Sequence, residues 1–104
     1  MVHPSSSPVG AHVPVSGGLA RRGLTYADAV GAEAVQVFVT NPRGWARPAG
    51  DPEQDALLRA RTGLPVFVHA CYLINLGSPE EEVAARSVAS LEHTLRRGAQ
   101  IGAR

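Results

Sequence analysis

His69 has the clearest chemical potential in this 104-residue sequence. It closes the apolar run Pro65-Val-Phe-Val-His69, so its imidazole is expected at the open end of a strand. A neutral ring there is a good zinc ligand; a histidine hydrogen-bonded at a strand end is the plainer alternative. His12 sits in a similar run, Val9-Gly-Ala-His-Val13, and carries the same two readings with less weight. Cys71 lies two residues beyond His69, so His-x-Cys could chelate a metal, although a small residue filling a tight loop explains it as well. There is no His-x-x-His, Cys-x-x-Cys or His-Glu-x-x-His pattern, hence no self-contained metal motif. Glu80, Glu81 and Glu82 read as helix N-terminal charges favoured by the dipole rather than as catalytic carboxylates. His93 falls inside a helix on a solvated or half-buried face, and His3 falls in a Ser/Pro-rich lead-in.

Two loops carry a different chemistry. Tyr72-Leu73-Ile74 is apolar where a loop is expected. Either the loop folds back and buries the cluster, or the cluster is a wedge that enters a nucleic-acid stack. Arg43, on a neighbouring loop with Asn41 and Trp45, would then meet a phosphate or a base edge. Trp45 is assigned to packing that loop.

These residues need a scaffold that gathers them, and the hydrophobic periodicity supplies one. Strands are predicted at 9–13, 34–39 and 65–69, each short and nearly all apolar, as in a parallel sheet buried on both faces. Steps of three and four place Leu19, Gly23, Tyr26, Ala27 and Val30 on one face of a helix from Leu19 to about Gly31, with Ser16 a possible cap. Asp51-Pro52 opens a second helix running to Thr62. Ser78-Pro-Glu-Glu81 forms a capping box for a third, marked by Val83, Val88, Leu91 and Leu95 and ending near Gln100 or Gly102. The repeat of about thirty residues is that of a βα unit with its crossover. Three such units fit an open doubly wound sheet or part of a (β/α)8 barrel, and in both the loops after the strands carry function. A barrel needs ~250 residues, so the chain is expected to be a piece of one: a lead-in over 1–8 and a partial barrel domain over 9–104.

Composition narrows the class. The apolar share of 44% can build a core, and 5% aromatics means that Val, Leu, Ile and Ala must fill it. A net charge of +1 is too small for a domain that holds nucleic acid by charge alone. All ten basic residues are Arg, which points first to coding bias and is also suited to phosphate. The single Cys excludes an internal disulfide and fits a reducing cytoplasm. No apolar run approaches the ~20 residues of a membrane span, and residues 1–8 do not read as a signal peptide.

Three segments together are distinctive. Gly10-Ala-His-Val13 with Ser16-Gly-Gly-Leu19, then Gln36-Val-Phe-Val-Thr-Asn-Pro-Arg-Gly-Trp45, then Val68-His-Ala-Cys-Tyr-Leu-Ile-Asn-Leu-Gly77 resemble the endonuclease IV family (deoxyribonuclease IV, AP endonuclease), in collinear order over about residues 9–102. The resemblance implies a (β/α)8 TIM barrel of the xylose-isomerase-like kind, with three zinc ions at its mouth. It implies hydrolysis of the DNA phosphodiester 5′ to abasic sites in base excision repair, on double-stranded DNA, by a monomer with no membrane attachment. Carried over residue by residue, His69 matches a zinc ligand, and Tyr72 and Leu73 match residues that push into the DNA. Arg43 matches one that enters from the neighbouring loop, and His12 and Asn41 match positions at the mouth. Pro42, Gly44 and Cys71 depart from the pattern within otherwise matching loops. The remaining ligands implied by the family, His, Asp and Glu on later strands, would lie beyond residue 104, so the chain alone is expected to be inactive. A sugar isomerase-like barrel enzyme and a non-catalytic DNA-binding fragment are the alternatives.

Overall fold

The computed structural model describes residues 7–104; His3 and most of the expected lead-in lie outside them. The elements are β1 (Ala11–His12), α1 (Arg21–Val30), β2 (Val35–Val37), α2 (Pro52–Ala60), β3 (Val66–Val68) and α3 (Glu81–Ile101). The strands pair in parallel in the order β1-β2-β3, as the βα periodicity predicts. Their ladders are shorter than the apolar runs, because an apolar extended segment is in the ladder only where a neighbour runs beside it. Single bonds continue past the ends: the Glu33 amide donates to the Val9 carbonyl (2.9 Å) and that of His69 to Val37 (2.9 Å). The Arg104 amide donates to the Val66 carbonyl at 2.9 Å, bringing the chain after α3 back to β3.

Register sets which side chains meet. Ala11, Val35 and Val66 lie level, as do His12, Gln36 and Phe67. Successive residues point to opposite faces, so Val35, Val37 and Val66 turn to the helices and are buried with Ala27, Leu58 and Ile101. His12, Gln36 and Phe67 occupy the other face, where Phe67 is 44% exposed. The helices cover one face only, as expected for three consecutive units of a barrel. In a closed barrel the second face is filled by side chains from other strands, which accounts for the apolar Phe67 there beside the polar His12 and Gln36.

Helix boundaries show where local signals suffice. Asp51 Oδ1 accepts from the Glu53 amide at 3.0 Å with Pro52 in first position, as expected for α2. α1 starts at Arg21 rather than Leu19, and Ser16 does not cap it. Gln54 of α2, 5% exposed, does so instead, its Oε1 accepting from the Ala20 and Arg21 amides at 2.9 and 2.8 Å. α3 starts at Glu81, so Ser78 is not its N-cap and Pro79 is not in first position. Ser78 Oγ accepts from the Glu80 amide at 3.1 Å, and a turn around Asn75, whose carbonyl accepts from the Ser78 amide at 3.2 Å, takes up the chain before the helix.

The buried face of α3 also differs. Val88 and Leu95 are exposed, whereas Ser87, Ser90, Thr94, Arg97, Gly98 and Ile101 are buried. The hydroxyls of Ser87 and Thr94 donate to the Val83 and Ser90 carbonyls at 2.7 and 2.8 Å, four residues back, which removes the penalty for burying them. Arg97 joins α3 to α2 through a buried two-pronged pair with Asp55 at 2.6 and 2.8 Å. On the surface, Arg61 pairs with Asp28 of α1, and the hydrogen bond holds that carboxyl below the usual carboxylate range.

A candidate metal and nucleic-acid site at the strand ends

The strand parity that leaves one sheet face uncovered also gathers the candidate chemistry. Phe38 and His69 follow Gln36 and Phe67 by two residues and so continue their face. The result is an aromatic cluster of His12, Phe38, His69 and Tyr72. The Phe38 ring centroid lies 4.7 Å from that of His12, 4.9 Å from His69 and 5.4 Å from Tyr72. His12 and His69 are 6.3 Å apart, and His69 and Tyr72 are 5.5 Å apart. Phe38 is absent from the residues singled out in the sequence; its even spacing from Gln36 was the available signal.

Both imidazoles are held through the same nitrogen. His69 Nδ1 lies 2.6 Å from the Ala70 carbonyl, which can only accept, so Nδ1 carries the hydrogen and Nε2 of the neutral ring keeps its lone pair. His12 Nδ1 lies 3.2 Å from Gln36 Oε1, so the Gln36 amide holds this ring as well. A ring fixed through one nitrogen with the other basic is how metal-ligating histidines are prepared. His69 fits as one donor of a metal site, with His12 beside it. Among the described residues no group of three or more His, Cys, Asp or Glu side chains could complete the set.

The two loops flanking this cluster are built by local turns. Asn41 Oδ1 accepts from the Arg43 amide at 2.9 Å, a turn that Asn favours, leaving Arg43 exposed at its tip. Asn41 thus shapes the loop that carries Arg43. In the next loop Tyr72 is 60% and Leu73 38% exposed, so the chain does not fold back to bury them; Ile74 is half-buried. The Tyr72 amide donates to the Pro42 carbonyl at 2.8 Å, joining the loops. Cys71 is buried beneath them. Trp45 is half-buried and lines a groove with Arg47, Arg86 and Ala89. Glu80, Glu81 and Glu82 are exposed at the start of α3, where Glu82 pairs with Arg86 at 2.6 Å. His93 is half-buried within α3, its Nε2 without a hydrogen-bond partner among the described residues. Among the described residues no helix is long and apolar enough to cross a membrane.

Comparison with known proteins bears on the family and the fold. Residues 24–104 match the family model described as xylose isomerase-like TIM barrel. A Streptomyces avermitilis protein named "Probable endonuclease 4" is 59% identical over 95% of this chain and 33% of its own length. A protein of the same name from Streptomyces coelicolor is 59% identical over 93% of this chain and 34% of its own. The chain therefore spans about a third of the length of the curated relatives it matches. The crystal structure of endonuclease IV from Thermus thermophilus superposes with a TM-score of 0.80 at 36% identity, over 93% of this chain and 38% of that one. A second Thermus thermophilus protein, solved after soaking with zinc chloride, superposes with a TM-score of 0.62 at 30% identity, over 93% of this chain and 37% of that one.

Proposed function

Since the chain belongs to the xylose isomerase-like TIM barrel family and, within it, to the endonuclease IV proteins, we propose that it forms one wall of a zinc-dependent nuclease site that hydrolyses the DNA phosphodiester 5′ to abasic sites. The setting is base excision repair in the cytoplasm, and the active protein is a monomer acting on double-stranded DNA with three zinc ions at the barrel mouth. The observation that carries this reading is the contact of His69, its Nε2 basic, with the exposed Tyr72.

Zinc, when bound, lowers the pKa of water toward ~7 and offsets negative charge on a phosphate. The chain's own residues prepare the site. His69 presents Nε2 as a ligand while its bond to Ala70 fixes the ring. Tyr72 and Leu73 enter the duplex at the missing base, where unstacking costs less than at an intact step. Arg43, on the adjoining loop, meets phosphate or base edge. His12 and Asn41 border the mouth, Asn41 by shaping the Arg43 turn.

In a full-length barrel carrying this segment, Tyr72→Ala and Leu73→Ala are expected to weaken binding to abasic duplex about tenfold more than to intact duplex, the scale of one lost base–aromatic contact. Titration of both duplexes at one salt concentration reads this; equal losses on the two would mean that the pair only packs the loop.

His12 and His69 are too few donors for three ions that each need about four. Residues 1–104 by themselves are accordingly expected not to incise abasic DNA. Site-specific incision by the purified chain, abolished by a chelator, would show that donors among these residues suffice.

A further inference from the structure

Cys71 is 4% exposed and lies between the two loops that carry the proposed DNA contacts. Its Sγ is 3.2 Å from the Pro42 carbonyl and 3.2 Å from the Gly44 carbonyl, the two residues flanking Arg43. The Leu73 amide donates to the same sulfur at 3.4 Å, and the Tyr72 amide donates to Pro42 at 2.8 Å. One thiol therefore touches the backbone on both sides of Arg43 and the backbone of the apolar pair. Its single proton is shared between two equidistant carbonyls, while its lone pairs receive Leu73. The Pro42 carbonyl keeps Tyr72 as a donor if the thiol is lost; Gly44 and Leu73 lose the contacts shown here.

We infer that Cys71 is a positioning residue for DNA recognition, a clamp that fixes the spacing between the Arg43 cation and the Tyr72-Leu73 wedge so that both meet one duplex together. This rests on the DNA reading given above. A thiol suits the place because it is small enough to be buried in a tight turn yet donates and accepts at once. Loss of the clamp leaves each contact residue in place and the Tyr72–Pro42 bond as the remaining link, but frees the Gly44 side of the Arg43 loop and the Leu73 backbone, so lesion selectivity suffers more than general DNA affinity.

The test uses a full-length barrel carrying this segment, with Cys71→Ala, Cys71→Val and Cys71→Ser. Val refills the space of the sulfur, with one methyl more and without the hydrogen bonds, which covers the case in which Ala fails to fold. Affinities for abasic and intact duplex are measured beside hydrogen exchange of the Leu73 amide, zinc content and a melting curve. Ala and Val are expected to lower the abasic-to-intact affinity ratio roughly three- to tenfold, the scale of one or two lost hydrogen bonds. They should speed Leu73 exchange with zinc content unchanged. Ser, whose hydroxyl can also donate and accept, is expected to restore most of both. A wild-type ratio in Cys71→Val, or Ser as impaired as Val, overturns the clamp. If Tyr72→Ala is lesion-selective while the Cys71 variants are not, this inference alone fails; if Tyr72→Ala is unselective, the DNA reading fails first.

Discussion

Asp55→Ala is expected to destabilise the chain by ~3–5 kcal/mol, the range for removing one partner of a buried ion pair. Arg97 is 4% exposed and Asp55 6%, and both carboxylate oxygens are engaged, at 2.6 and 2.8 Å. Without Asp55 the guanidinium keeps Gln100 Oε1 at 2.6 Å, a neutral acceptor that offsets little of a buried charge. The guanidinium lies against the bare Cα of Gly50, whose φ of +87° and lack of room for a Cβ mark a close approach. Native domains are stable by roughly 5–15 kcal/mol, so this one change would remove a large share. The paired replacement Asp55→Leu with Arg97→Met is expected to recover most of the loss, because two apolar side chains of similar size carry no desolvation penalty. Urea unfolding of Asp55→Ala and of the paired replacement reads this. An Asp55→Ala midpoint within error of wild type would mean that water reaches Arg97. The exposed Arg61–Asp28 pair should matter far less.

That ion pair also marks what sequence reading reaches. Asp55 and Arg97 stand on different helices, and nothing in the local pattern of either announces the other. The parallel strands were legible because β-branched runs alternate with helical spacing at a βα period. The Asp51-Pro52 start of α2 was legible because both signals are local. Caps that depend on tertiary partners were not: Ser16 looked like a cap for α1, yet Gln54 reaches it from α2. On α3 the apolar markers Val83 and Leu91 are half-buried while Val88 and Leu95 are exposed, because Ser87 and Thr94 hide their hydroxyls on their own helix and take the inward face as small apolar residues would. At the candidate site, His69, Arg43, Tyr72 and Leu73 stood out by type and motif. Phe38 did not, since a Phe in a strand reads as core until register puts it between two histidines. Cys71 read as filler because its bonds run to carbonyls of another loop.

The second large effect is at His69, and it bears on the proposed function most directly. In a full-length barrel carrying this segment, His69→Ala is expected to lower zinc content and abasic-site incision together, with the melting curve little changed apart from any contribution of the metal itself. The imidazole is half-buried at a strand end and belongs to the mouth rather than the helix-facing core, so its loss should not cost the ~2–5 kcal/mol of a large core side chain. It should matter to the metal, because an incomplete ligand set weakens both affinity and the acidity of bound water. Zinc analysis, an abasic-site nicking assay and a melt in the presence of chelator, all on one preparation, give the answer. Reduced zinc and reduced incision with an unchanged chelated melt support His69 as a ligand; full zinc occupancy with a lowered chelated melt would show a structural histidine instead.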